Sequence, residues 1–426
     1  MIVFLMFVAL VAMICLNVPI AVALAISGII GLVATEGTGS LVTVALDMYD
    51  GSTKFSLIAI PMFVLAGAIM NASGISQRLI AFVSALIGFV RGGLSMVSIG
   101  VSLFFAEISG SAVADVAALG SILIPEMKKR GYKKAFAAAV TSSSASLAII
   151  IPPSIPMILY AVSAETSVEQ LFVAGVVPGL LGAAGLMGVA YISARRYNLP
   201  IEEAFNLRRV RSTFIEALPT FTLPVIILGG IFGGYVTATE AAGLAVIVSI
   251  MIGLWYREVD FGRLKTAMLE GGMQTAVVML LVAASVLMGG FLTRAQIPQE
   301  IAQSIIDFTS NKFVILAILN VFFLIIGFFL HSAAAIILVV PIVVPLIQQA
   351  GIDPVHFGLV VTLNLAIGQQ TPPVASVLIT ACSIAKANIW DVSRMNLPFI
   401  GVLLAVLILC TYVPQVPLFL VEYFYR

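Results

Sequence analysis

The sequence predicts an all-α polytopic membrane protein built as an inverted-topology repeat. Three observations carry this. Of 426 residues, 61% are hydrophobic and only 10% charged, against roughly 25% charged in soluble domains. Apolar runs of the length a bilayer needs, about 20 residues per span, recur along the whole chain. Pro-Pro occurs only twice, at Pro152-Pro153 and at Pro372-Pro373, once in each half. The length accommodates about ten to twelve spans and leaves little for a soluble domain. The 21 basic and 20 acidic residues nearly cancel, so charge points to no nucleic-acid partner.

The elements follow in order. Residues 1–16 are apolar with no Lys or Arg before them. Lacking the basic start of a signal peptide, they read as a retained first span. The first repeat is residues 1–213, with scaffold helices in 1–75, a connecting helix at 79–90, an interrupted run at 94–124, a Pro-Pro run at 135–162 and a helix at 171–193. The second repeat is 214–426, with scaffold helices in 214–256, a helix at 270–292, an interrupted run at 313–345, a Pro-Pro run at 357–381 and a helix at 397–421. The offset between the two Pro-Pro pairs also relates Pro125 to Pro345, Gly131 to Gly351 and Pro178 to Pro398. The interrupted runs read as re-entrant hairpins. Each Pro-Pro pair should break its helix inside the membrane, because proline removes a hydrogen bond and clashes with the preceding turn.

Basic residues set the sides. Five lie between Glu126 and Lys134, and Arg195, Arg196, Arg208, Arg209 and Arg211 crowd a later loop. These loops are cytoplasmic by the positive-inside rule, which places both termini outside. The turn at 126–134 is basic, whereas its partner at 346–356 has no Lys or Arg. The halves therefore run in opposite orientation, as in secondary transporters. A channel on a duplicated scaffold is the competing reading.

Backbone released from a broken helix cannot face lipid and must line a polar cavity. Freed carbonyls coordinate cations, and freed N–H groups at half-helix starts hold anions. The substrate candidates are the tip Ser109-Gly110-Ser111, Ser154 after the first Pro-Pro pair, and His331-Ser332 at the second tip, where His331 corresponds to Ser111. Cation candidates offer the hard oxygens that sodium prefers. They are Ser109, Ser142, Ser143 and Ser146 in the first half, and Gly327, Asn364, Gly368, Gln370 and Thr371 in the second. Repeat symmetry implies about two such sites. A serine in a membrane helix often only bonds the carbonyl one turn back, which is the plain reading of Ser143 and Ser146. Glu107 and Asp115 are functional candidates because charge inside a membrane is costly; the alternative is pairing with Lys or Arg near the cytoplasmic end. His331 has a gating or a simple core reading. Arg294 reads as a boundary anchor, and Trp255 and Trp390 as interface residues.

Other chemistries find little support. Cys15, Cys382 and Cys410 are odd in number and widely spaced in apolar runs, so no disulfide framework is expected. His331 and His356 sit in no ligand cluster, which predicts no zinc, and no organic cofactor is expected. An intramembrane serine hydrolase would pair Ser109 or Ser111 with His331, but the stretch lacks the glycine two before the serine that a nucleophile elbow uses. No G-x-x-x-x-G-K-[ST] stretch exists, which excludes an ATP-driven pump in this chain.

The stretch from Ile108 to Tyr132, continuing through Phe136–Val140 and Ile151–Met157, resembles the large membrane subunit of tripartite ATP-independent periplasmic (TRAP) transporters, the DctM-like large permease. Gly351–Gly358 and Thr371–Pro373 look like the same family, and the similarity of pattern covers essentially the whole chain. The resemblance implies sodium-driven symport of an organic acid, with family substrates that include C4-dicarboxylates, sialic acid and other sugar acids. It also implies a small four-helix membrane subunit, a soluble periplasmic substrate-binding protein and the bacterial inner membrane. The fold it implies is similar to elevator transporters of the ion-transporter superfamily, with a mobile domain of two hairpins and two broken helices. One departure is His331, where the family often has an acidic residue near the hairpin tip.

Overall fold

The computed structural model describes residues 6, 8–10, 12–13, 16, 18–201, 204–372 and 374–425, with the side chains of 107–109 outside that description. Most of the expected first span, Cys15 and Pro373 therefore lie outside the described residues, as do the side chains of Glu107 and Ser109. The described chain is helical throughout, apart from one isolated bridge between Arg91 and Ile201.

The first half contains α1 (Ile20–Glu36), α2 (Leu41–Ser52), α3 (Ala59–Ala72), α4 (Ile75–Ile87), α5 (Gly93–Ser109), α6 (Ala112–Lys129), α7 (Lys134–Ala145), the short α8 (Leu147–Ile150), α9 (Ile155–Ser163) and α10 (Val168–Arg196). The second half contains α11 (Leu207–Phe232), α12 (Ala238–Trp255), α13 (Phe261–Arg294), α14 (Ile297–Phe308), α15 (Lys312–Phe329), α16 (Ser332–Gln349), α17 (Pro354–Gly368), α18 (Ser376–Ala385), α19 (Ile389–Tyr412) and α20 (Gln415–Tyr425). The helix starts keep the Pro-Pro offset, which carries the start of α6 onto that of α16 and the start of α7 onto that of α17. Helical backbone stops at Ile150 and resumes at Ile155; it stops again at Gly368 and resumes at Ser376.

Nine helical segments among the described residues are long and apolar enough to cross a membrane. Five further apolar helices among the described residues, α1, α4, α5, α17 and α18, are shorter than those nine, and most of the expected first span lies outside the described residues. Three boundaries differ from expectation. The connecting helix is Ile75–Ile87 rather than 79–90, since Gly74 in the left-handed region (φ +67°) opens it one turn earlier. The hairpin arms extend past 124 and 345, to Lys129 and Gln349. The helix expected at 270–292 runs from Phe261 to Arg294. Its start is capped by Asp260, whose Oδ1 accepts from Arg263 N at 2.7 Å. At its far end Arg294 donates to Asp47 Oδ2 at 2.6 Å and lies 3.8 Å from Glu36 Oε2. Charged residues end an apolar stretch but not a helix, because long side chains carry their heads to water.

One continuous core runs from α3 to α20. Within it the halves interlock: α18 packs on α6 and α7, α9 packs on α16, and α7 packs on α19. α1 and the outer end of α13 form a second, smaller core around Leu24, Leu32, Leu287 and Phe291. The outside is apolar as well. On α15, Val314, Ile318, Val321, Phe322 and Ile325 are exposed at helical spacing, as a lipid-facing stripe requires. Without a hydrophobic drive between helices in lipid, close approach and interhelical hydrogen bonds hold such a bundle together.

Candidate functional site

Each hairpin tip is tied by backbone to the helix stop that follows it. In the first half Gly110 turns the tip with φ +58°. A Cβ there would lie 2.9 Å from Pro153 O, so the position needs glycine for both conformation and space. Ile155 N donates to Gly110 O at 3.4 Å. In the second half Val374 N donates to Phe328 O at 3.2 Å. His331 opens α16 and its Nδ1 accepts from Ala333 N at 3.4 Å.

The two tips meet at one cavity of about 610 Å³. Gly110 and Ser111 line it from the first tip, and His331 and Ser332 from the second. Ile155 and Pro156 add the start of α9, and Gln369 and Ser376 the second stop. The wall facing them includes Val64 of α3 with Met273, Gln274, Val277 and Val278 of α13, and α6, α16 and α18 add further small or polar residues such as Ala117, Ala333 and Thr380. Four of the six predicted substrate residues are thus brought together. Ser154 is placed otherwise: its Oγ donates to Ile149 O at 2.7 Å and accepts from Met157 N at 3.4 Å, closing the α8–α9 junction. The side chain of Ser109 lies outside the described residues.

The predicted cation residues divide into two groups. Ser142 Oγ and Asn364 Oδ1 are buried oxygens without a hydrogen-bond partner. Near Asn364, the backbones of Gly327 and Gly368 touch: a Cβ on Gly368 would lie 2.5 Å from Gly327 Cα. Thr371 Oγ1 donates to Ile367 O at 3.1 Å and keeps its lone pairs free to coordinate. Ser143, Ser146 and Gln370 instead form a buried network. Gln370 Oε1 accepts from Ser143 Oγ at 2.9 Å and from Asn396 Nδ2 at 3.0 Å, while Gln370 Nε2 donates to Ser146 Oγ. The single Ser143 proton is shared between Gln370 Oε1 and Asn396 Oδ1. Ser146 has the expected bond one turn back, to Ser142 O at 3.4 Å; Ser143 does not.

A second polar clasp recurs in each half. Ser144 bonds Ser102 Oγ at 3.0 Å and Ser98 Oγ at 3.4 Å, holding α7 on α5. Asn364 Nδ2 donates to Asn320 Oδ1 at 2.7 Å, holding α17 on α15, and Asn320 Nδ2 reaches Thr411 Oγ1 at 3.1 Å. Asp115 is fully buried on α6. His356 is a core histidine, 2.7 Å from Cys410 O, and Cys382 and Cys410 are buried free thiols. Trp255 and Trp390 are exposed, as interface residues are.

Sequence reasoning missed Gln369, Gln274, Ser376, Asn320 and Asn396. Gln274 had a signal: a lone carboxamide in the apolar stretch of α13 is unusual inside a membrane. Gln369 was masked by its neighbour Gln370, and nothing local marks the asparagines.

Comparison with known proteins gives the family. A model described as "Tripartite ATP-independent periplasmic transporter, DctM component" matches residues 7–416. The isethionate TRAP transporter permease protein DctMQ of Oleidesulfovibrio alaskensis is 40% identical over 95% of this chain, which spans 64% of that protein's length. The C4-dicarboxylate TRAP transporter large permease protein DctM of Pseudomonas aeruginosa is 40% identical over 89% of each chain. Among solved structures, the Alcanivorax borkumensis YdaH transporter matches with a TM-score of 0.64 at 16% identity, over 89% of each chain. That likeness speaks to the fold alone.

Proposed function

The chain belongs to the DctM component family of tripartite ATP-independent periplasmic transporters, and from this we propose that it imports an organic anion in symport with sodium. It is a multi-pass membrane transporter large permease and not an enzyme, so the serine hydrolase reading falls. The observation that carries the proposal is the cavity where both hairpin tips and both helix stops converge. Relatives named for isethionate and for C4-dicarboxylates set the range of anions to test.

In this reading the two halves form an inverted repeat, divided at residues 213 and 214, and move as an elevator. The hairpins, helix stops and the helices around them carry the cavity past a scaffold that includes α3 and α13. Sodium binds at the hairpin–stop junctions. Asn364 Oδ1, Thr371 Oγ1 and the backbones of Gly327 and Gly368 supply the second-half site, and Ser142 with the Ser109 segment supplies the first. Substrate sits between Gly110-Ser111 and His331-Ser332. The small membrane subunit and the periplasmic binding protein implied by a tripartite system complete the transporter in the inner membrane, with both termini outside.

The test is uptake of radiolabelled succinate and isethionate into proteoliposomes holding the chain with its two partner subunits. Uptake is expected only with sodium outside in excess. Equal uptake under an inward potassium gradient would sink the sodium coupling. In parallel, sodium is expected to raise the melting temperature of the purified chain saturably relative to choline at matched ionic strength, as a ligand of the folded state does. Asn364→Ala and Thr371→Ala should remove most of that rise.

A further inference from the structure

The four helix starts around the cavity are not equivalent. Two are closed by side chains: Ser154 caps α9 and His331 caps α16. The other two, α6 after Ser111 and α18 after Ala375, begin with no side-chain cap, and at α18 the first-turn amide of Val377 already donates to Gln369 O at 3.2 Å. α18 packs directly on α6, so these two starts lie on neighbouring helices. Ala112, Val113 and Ala114 of the first turn of α6 and Ser376 of α18 line the cavity. Amides of a helix start attract negative charge.

A separate observation points to the same place. Gln369 lines this cavity and is 1% exposed. Its Oε1 accepts from Ser376 Oγ at 3.3 Å, while its Nε2 has no hydrogen-bond partner. A buried N–H donor without an acceptor is rare and costly unless a ligand completes it. Elsewhere the wall offers nothing comparable. Among the described lining residues there is no Lys, Arg, Asp or Glu. Asp115, in the first turn of α6, does not line the cavity. The scaffold side is Val64, Met273, Val277 and Val278, with Gln274 as its neutral polar group.

We propose that the cavity has a single anion pole, made by the uncapped start of α6 together with the Gln369 amide that Ser376, at the start of α18, holds in place. The transported ligand is therefore a small organic monoanion, one carboxylate or sulfonate on an uncharged body. A second carboxylate would be left against the apolar scaffold wall or against helix starts already capped, with no cationic side chain of the lining to meet it. This deepens the proposed function and rests on its placement of substrate in this cavity.

The test is equilibrium binding to the purified chain in sodium buffer, followed by calorimetry and thermal shift, with lactate, isethionate, succinate and malate. At least one monoanion is expected to bind about 10-fold or more tightly than either dianion, because an unmatched buried charge dominates the difference. Lactate against isethionate separates a carboxylate pole from a sulfonate pole. Gln369→Leu should weaken the monoanion by about 10- to 100-fold, the range for a hydrogen bond to a charged group. Gln369→Glu keeps the acceptor for Ser376 Oγ, so it should still fold and still respond to sodium, yet lose the monoanion. Succinate or malate binding as tightly as the monoanions, or unchanged affinity in Gln369→Glu, overturns the single pole while leaving organic-anion transport in place. No saturable binding by any of the four overturns the placement of substrate here as well.

Discussion

The helix that leads into each Pro-Pro pair carries hydroxyls in the first half and carboxamides in the second. The first half has Thr141, Ser142, Ser143, Ser144 and Ser146 before its Pro-Pro pair, whereas the second half has Thr362 with Asn364, Gln369 and Gln370 before its own, and only Ser142 with Thr362 and Ser144 with Asn364 share a register position. Ser144 stays within its own half, reaching Ser98 and Ser102 on α5, whereas Ser143 meets Gln370 and Asn396 of the other half. Carboxamides reach farther, and Gln370 crosses to Ser143, Ser146 and Asn396. The second stop thus holds the first half in place, and nothing in the first half returns the favour at the same register: Ile150 occupies the position equivalent to Gln370. The joint between the halves therefore pairs the carboxamides of Gln370 and Asn396 with the hydroxyls of Ser143 and Ser146.

The largest expected effect tests the close backbone contact of the second half. At the repeat offset Gly368 has Ala148 as its first-half counterpart, a buried residue that already carries a Cβ. Gly368→Ala would push a methyl to 2.5 Å from Gly327 Cα, where backbone rather than a flexible side chain must yield. Overpacking of this kind costs about 3 kcal/mol. Ala148→Gly, the reverse exchange in the other half, should cost about 1 kcal/mol through helix propensity. Unfolding of the purified protein in graded denaturing detergent compares the two, and equal effects would show that the halves are not different here.

Next comes the network at Gln370. Gln370→Leu removes three bonds and leaves Ser143, Ser146 and Asn396 buried. At roughly 0.6 kcal/mol per interhelical bond in a membrane, the loss is about 2 kcal/mol. Asn396→Leu, measured by the same unfolding, should cost less, because it removes the bonds to Gln370 and Ser143 but leaves Gln370 paired with Ser146. A Gln370→Leu effect no larger than that of Asn396→Leu would break the picture of Gln370 as the joint between halves.

How much of this was legible depends on the range over which each signal acts. The class, the helix stops and the Ser-Gly-Ser tip were readable because span length, proline and a left-handed glycine act within a few residues. The cavity was half readable: Ser111 and His331 were linked by the repeat offset before any contact was known. Gln369 was not readable, because its free Nε2 is defined by neighbours that only packing supplies. The Ser143–Gln370 bond joins residues 227 apart, and no periodicity encodes it. The plain reading of Ser143, a bond one turn back, failed for that reason, while the same reading of Ser146 was right but incomplete. The length of α13 was missed because charge at Arg263 and Lys265 ended the apolar count before the helix ended.

The smallest predicted effect sharpens the comparison most, because it sets matched positions against each other. Ser144 and Asn364 are related by the repeat offset, and each clasps its helix to the first arm of its own hairpin. Ser144→Ala removes a hydroxyl that Ser98 and Ser102 share, and those two serines can turn back to helix carbonyls. The cost should be about 0.6 kcal/mol, the average for a membrane interhelical bond. Asn364→Leu leaves the Oδ1 of Asn320 buried without its donor while Nδ2 keeps Thr411, and should cost about 1.7 kcal/mol, the upper end of the same scale. Sodium separates the pair further. Asn364 Oδ1 is an unpartnered buried oxygen on a residue whose backbone carbonyl approaches Gly327, so its loss should also abolish stabilisation by sodium, whereas Ser144→Ala should leave the sodium response intact. Unfolding measured for both variants in sodium and in choline reads the two effects at once, and a sodium response lost equally in both variants would mean that the clasp, rather than the free oxygen, carries the ion's effect.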